Sequence, residues 1–240
     1  MAKAPVPSNT YVRTEEPSPI IAREGWPIVA MFIFAGAVLM GLVVVWGLPP
    51  VDLTIISIAC IALIWWCIWF FRDPPRTTPT DLDAVICPAD GRVVIIDSAS
   101  PPPELGLGEE KLPRICIFMN VFNVHVNRSP VDGIIERIAY MPGKFLNASF
   151  DKASTQNERC SLLLRTPRGH RVVCIQIAGL IARRIICRVK EGAALTAGQR
   201  FGLIRFGSRV DVYLPVGTTP TVRIGQLTQA GSTIIATLPQ

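Results

Sequence analysis

The chain has 240 residues, half of them hydrophobic, and a mean hydropathy of +0.39, too apolar for a fully soluble globular protein. Its formal charge of +6 and pI near 9.1 come mostly from basic residues between Arg183 and Arg209. No recognition motif or basic helix accompanies that charge, so nucleic acid is set aside. An anionic membrane surface or lipid head group is the better partner, with a solvated basic face as the plain alternative.

The segment 1–25 is rich in Pro, Ser and Thr with balanced charge, which predicts a mobile tail. It is not a signal peptide, since its apolar stretch starts late and no small-residue cleavage site follows. Trp26 to Trp46 is uncharged and about the 20 residues needed to cross a bilayer. Val51 to Phe71 is similar, with Asp52 at its start, and Gly47-Leu48-Pro49-Pro50 breaks the two apart. Five tryptophans lie toward the ends, as interfacial aromatics do. The expectation is a transmembrane helical hairpin over 26–71, with a hairpin dipping into one leaflet as the alternative. Arg23 before it and Arg72 and Arg76 after it predict that both ends face the cytoplasm, at the cell membrane. A proline-rich linker, 72–84, follows.

From residue 85 to 240 the pattern becomes short β-branched runs: Arg92 to Asp97, Ile115 to Asn127, Ile134 to Tyr140, Ser161 to Thr166, Arg171 to Ala178 and Ile181 to Val189. Asp90-Gly91, Asp132-Gly133, Pro167-Arg168-Gly169 and Lys190-Glu191-Gly192 punctuate them. The domain is therefore predicted to be mainly β. The echo between PADG at 88–91 and PVDG at 130–133 suggests paired halves of a barrel or sandwich. Gly143 to Asn157 has the length and polarity of a mobile loop over a site. The seven cysteines show no CxxC spacing and read as reduced thiols of a cytosol-facing domain. With two histidines, neither near paired cysteines, no zinc site is expected.

Two strand-like runs meet at Gly207-Ser208: Leu203 to Phe206 before it, and Arg209 to Leu214 after it. In the second run Val210, Val212 and Leu214 alternate with Arg209, Asp211 and Tyr213. A Gly-Ser pair there is usually a turn. It is also a place where a serine hydroxyl could attack the glycine carbonyl, if a base is near. Histidine is the side chain suited to that task near neutral pH. His170 falls in a turn, whereas His125 falls in a strand-like run, sharing a polar face with Asn123 and Asn127.

With CPADG at 87–91, NVFNVHVNRSPVDG at 120–133, YMPGKF at 140–145, NER at 157–159 and Gly207-Ser208, the chain resembles the phosphatidylserine decarboxylases. It is most similar to the short bacterial and archaeal form, over roughly residues 72–214. Phe206 stands where many relatives have Leu, and Phe122 where longer relatives carry a second histidine. The resemblance implies self-cleavage between Gly207 and Ser208, with Ser208 becoming a covalent pyruvoyl group. It also implies an Asp90–His125–Ser208 relay and Schiff-base decarboxylation of phosphatidylserine to phosphatidylethanolamine at a membrane. The large and small fragments are expected to stay together, and homo-oligomerisation is left open. Two rivals stand beside this reading. A membrane-anchored serine hydrolase using Asp90, His125 and Ser208 lacks a Gly-x-Ser-x-Gly elbow. A lipoyl-like carrier would need a lysine at a hairpin tip, and the Asp-Gly turns offer none.

Overall fold

The computed structural model describes residues 19–47, 49–146, 148, 153–179, 184–205 and 207–239. The chain divides into two compact units, one spanning 17–75 and the other holding 76–240.

The first unit is built on two helices, α1 (Trp26–Val45) and α2 (Pro50–Phe70). Each opens with a proline in its first turn, where the missing N–H costs nothing. At about 1.5 Å per residue each is about 30 Å long, enough to cross a membrane. The helices run antiparallel. A Cβ on Gly36 would only just touch Cys60, and Ser57 Oγ lies 3.5 Å from Met40 Sδ. The other faces are apolar as well, with Phe34, Val44, Ile58 and Ile61 exposed, as suits helices surrounded by lipid. The hydroxyls of Thr54 and Ser57 are satisfied within α2, donating to Pro50 O and Leu53 O. Most of the tail expected over 1–25 lies outside the described residues. Its end is tied down: Ala22 N–H donates to Phe71 O at 2.7 Å, and Asp73 N–H to Ile20 O at 3.1 Å.

The second unit is mainly β, as the runs predict. Its strands are β1 (Ala84–Ile86), β2 (Gly91–Ala99), β3 (Leu112–Met119), β4 (Val126–Arg128), β5 (Gly133–Met141), β6 (Arg159–Arg165) and β7 (Arg171–Ala178). There follow β8 (Ile185–Cys187), β9 (Ala194–Leu195), β10 (Arg200–Ile204), β11 (Ser208–Tyr213), β12 (Thr219–Pro220), β13 (Leu227–Thr228) and β14 (Ile234–Thr237). Eight of them form one curled antiparallel sheet, in the order β13-β2-β3-β11-β7-β6-β5-β9. Two three-stranded sheets, β1-β14-β12 and β4-β10-β8, complete a half-barrel. Val93, Ile117, Leu162, Cys174, Phe201, Val210 and Val212 meet in its main core. Burying each such aliphatic side chain contributes about 1.5–3 kcal/mol.

Two expected strands come out shorter. The run 115–127 breaks at Asn120, because Asn side chains there compete for the backbone. Asn120 Oδ1 accepts from Phe122 N–H, and Asn123 Oδ1 accepts from Asn120 N–H, both at 2.9 Å. Of the run 181–189, only 185–187 is strand, and 181–183 lie outside the described residues. All seven cysteines are free thiols.

Candidate active site

Ser208 opens β11, which sits at the middle of the large sheet between β3 and β7. It faces Met119 on one side and Ala178 on the other. Both faces of β11 are covered and Ser208 is fully buried. Gly207, just before it, has φ +67°, the left-handed region that side chains other than glycine's rarely adopt. The Gly207 carbonyl oxygen lies over Gly179, where a Cβ would overlap it. These two glycines let the chain turn into the sheet at this point.

His125 is also fully buried. Its Nδ1 lies 2.9 Å from the Asn123 carbonyl, which fixes the proton on that nitrogen. Nε2 then carries the lone pair and accepts from Gly207 N–H at 3.3 Å. The imidazole is thereby held beside the Gly207-Ser208 peptide. Ser208 Oγ rests 3.4 Å from Met119 Sδ, a weak acceptor that leaves the hydroxyl easy to turn.

The structure brings His125 and Gly207-Ser208 together, but the bonds of Asp90 run elsewhere. Its Oδ2 accepts from Arg76 at 2.7 Å and its Oδ1 from Ala230 N–H at 2.8 Å. The nitrogen that an orienting carboxylate would take is held by a backbone carbonyl. In the same CPADG turn the Pro88 carbonyl accepts from Arg128 N–H at 3.0 Å, at the end of β4.

Sequence reasoning missed the roles of Asn157, Arg159 and Arg209. Asn157 holds Leu146 at both its N–H and its carbonyl, and also donates to Ala178 O beside Ser208. Arg159 pairs with Glu104 at 2.7 Å. Arg209 does not join a basic face. It is completely buried and grips Asp211 with two bonds, at 2.7 and 2.9 Å. Arg209 also donates to Ala148 O at 3.2 Å and to Ser154 Oγ, which itself donates to Asp211 at 2.9 Å. Burial works against the Arg209 charge, and Asp211 more than restores it, so its pKa is pushed up. Burial and the Asp211 charge likewise push the Tyr213 hydroxyl up to about 12. The only signal for this network was the alternation of Arg209, Asp211 and Tyr213 along one strand.

A family model described as phosphatidylserine decarboxylase matches residues 63–236. The chain belongs to the phosphatidylserine decarboxylase family. It is 52% identical over 218 residues to the phosphatidylserine decarboxylase proenzyme of Paramagnetospirillum magneticum, covering 91% of this chain and 87% of that one. It is 49% identical over 225 residues to the proenzymes of Burkholderia mallei and Burkholderia pseudomallei, covering 93% of this chain and 98% of each. As a phosphatidylserine decarboxylase family member the chain is an enzyme of the lyase class. The motifs of this phosphatidylserine decarboxylase fold converge on one place: NVFNVHVN supplies His125, YMPGKF leads to Leu146, which Asn157 holds, and β11 begins with Ser208.

Proposed function

We propose that this chain decarboxylates phosphatidylserine to phosphatidylethanolamine, using a pyruvoyl group that it makes from its own Ser208 by cutting the Gly207-Ser208 bond. The observation that carries this is the fully buried Ser208 next to a left-handed Gly207, whose N–H is held by His125 Nε2 at 3.3 Å. The burial also weighs against a serine hydrolase, since a hydroxyl closed off in mid-sheet serves its own chain better than an outside substrate.

In this reading Ser208 Oγ turns from Met119 and gives its proton to His125 Nε2. It then attacks the Gly207 carbonyl carbon. The acyl bond moves from the Ser208 nitrogen to its oxygen, leaving an ester and a free amine. Loss of the Ser208 α-proton then expels the Gly207 carboxylate from Cβ, and hydrolysis with release of ammonia completes the ketone. The surroundings fit the group: Gly179 and Gly207 leave the backbone room. When formed, the ketone would supply an electron sink for the electrons left when the substrate's carboxylate departs. His125 remains beside residue 208 and can return a proton there. Asp90 contributes by tying its turn to Arg76 and Ala230, in the same turn whose Pro88 carbonyl holds β4.

The helices over 26–71 anchor the protein in the cell membrane, with a linker over 72–84. The positive-inside bias of Arg23, Arg72 and Arg76 puts the domain 85–240 on the cytoplasmic side. The fragments stay together after cleavage because the small one is woven in: β11 pairs with β3 and β7, β13 with β2, and β14 with β1.

The test is intact mass together with turnover. Purified protein should give a large fragment ending at Gly207 and a small one starting at residue 208 without a free amine. It should release carbon dioxide from phosphatidylserine vesicles. Ser208→Ala should stay full length and inactive. The same two fragments from Ser208→Ala would mean ordinary proteolysis and overturn the reading.

A further inference from the structure

Gln176 lies on β7, directly opposite Val210 of β11, and Ala178 lies opposite Ser208. Opposed residues of an antiparallel pair point to the same face, as do residues two apart on one strand. Gln176, Val210 and Ser208 therefore share the face turned to the main core. Diagonal neighbours in such a ladder are about 7–8 Å apart at the backbone, within reach of a long side chain.

The amide is held in place with some care. Gln176 is fully buried, and its Nε2 donates to Asn127 Oδ1 at 2.8 Å. Asn127 Nδ2 lies 3.8 Å from Met119 Sδ, the same sulfur that Ser208 Oγ touches at 3.4 Å. The strand leading to the cleavage site, β10, makes room for it. A Cβ on Gly202 would stand 2.8 Å from Gln176 Nε2 and 3.3 Å from Oε1. Yet Oε1 meets no donor among the described residues, though it is shut off from solvent. A buried carbonyl oxygen left unpaired costs stability, and such groups call for a reason.

We infer that Gln176 Oε1 is the acceptor that holds the water consumed in maturation, which makes Gln176 a positioning residue for the last step of pyruvoyl formation. The inference rests on the self-cleavage reading above. Once the Gly207 carboxylate has left Cβ, residue 208 is an enamine that tautomerises to an imine. One water must then add its oxygen to the imine carbon. The carbon–nitrogen bond breaks, and the nitrogen leaves as ammonia with the protons of the imine and the water. No oxidant or reductant is needed. This happens in a fully buried place, where a water is kept only by two or more polar partners. Gln176 Oε1 is one. The second lone pair of Asn127 Oδ1, beside it, is another.

The experiment uses the full chain and follows maturation in time, quenching samples by denaturation in sodium borohydride. A ketone at residue 208 is then reduced to a lactyl end with no amine. An imine is reduced to alanine, which has a free amine and a mass lower by one unit. Wild type should give almost only lactyl ends. Gln176→Met keeps the length and removes the oxygen, so it should cleave near the wild-type rate while its alanine-ended share rises about tenfold. Only lactyl ends at every time, with normal cleavage, would overturn the role of Gln176. Failure of wild type to cleave would instead sink the underlying reading. Should Gln176→Met not fold, Gln176→Glu, which keeps an acceptor there, takes its place. Lactyl ends at the wild-type share support the inference, and accumulation of alanine ends overturns it.

Discussion

At the scale of single residues, the imidazole of His125 is positioned for two uses. Its Nε2 accepts from Gly207 N–H, and in the proposed self-cleavage it would stand by residue 208 after the cut. His125→Ala should be blocked or nearly blocked in self-cleavage, as a time course on a denaturing gel would show. Any fraction that does mature should release carbon dioxide poorly. Asp90→Asn should slow cleavage, and the size of the defect reports how it acts. Loss of a carboxylate bonded directly to the catalytic imidazole costs about 10⁴-fold in serine proteases. Loss of a turn held against Arg76 should instead match Arg76→Met, since the two side chains form one pair at 2.7 Å. The cysteines differ in the same local way. A hydrogen bond from the Cys160 thiol draws the Cys187 thiol down to about 7, against the effect of burial. Burial pushes Cys87 up to about 11 and Cys174 well above its ordinary value. Within the β unit at pH 7.5, iodoacetamide should therefore label Cys187 before Cys87 or Cys174, as peptide mass mapping would show.

At the scale of elements, β11 is a strand with two different insides. Its Val210 and Val212 face enters the main core, while its other face holds Arg209 and Asp211, both fully buried. Arg209→Met leaves Asp211 buried without its main partner and should cost about 3–5 kcal/mol, read from urea unfolding of Ser208→Ala chains to avoid cleavage. Adding Asp211→Leu to it should recover much of that loss, because no charge is then stranded. The Glu104–Arg159 pair makes a pH prediction. Burial pushes the Glu104 carboxyl up, but the bonds and charge of Arg159 outweigh it and hold it below its ordinary value of 4.5. A depressed carboxyl stabilises the fold above its unfolded value, and that contribution is lost as pH falls through the lower, folded one. Glu104→Gln should thus lower the urea midpoint at pH 7, and the gap to wild type should close as the pH drops below 4.5. The strand β7 was legible in sequence to the residue, because six β-branched or apolar residues, with Arg171 and Gln176 among them, sit between a Gly-containing turn and Gly179. The alternation of β11 was equally plain. Its burial was not: the partners that cover Arg209 and Asp211 come from Ala148, Ser154 and Arg114, far away in the chain. His125 was found by its motif, but its strand was misjudged, since the pattern of apolar residues says nothing of the Asn120 and Asn123 side chains that fold the backbone into a turn. Gln176 looked like one more residue in a strand. Only the register against Val210 and the closeness of Gly202 mark it out.

At the scale of the whole molecule, the two units carry separable tasks. A chain beginning at Arg72 should lose the attachment that survives alkaline carbonate washing, yet still cut itself, because the residues around Ser208 all lie in the β unit. A folded chain of this kind that stayed whole would assign the helices a part in the chemistry. The weave of strands on either side of residue 207 has a further outcome in heating experiments. Before the cut, the β unit is one chain whose refolding does not depend on concentration. After the cut, melting yields two different chains, the smaller of which must find the gap between β3 and β7 again, so recovery becomes bimolecular and competes with aggregation of the exposed sheet. In the proposed mature form the peptide bond that guided it there would be gone, and a ketone end could not remake it. The uncut Ser208→Ala chain should therefore cool back to its folded state after melting, where the mature enzyme should not. On the proposed self-cleavage, activation would also be the moment at which the protein's lifetime stops being a matter of equilibrium and becomes one of rate.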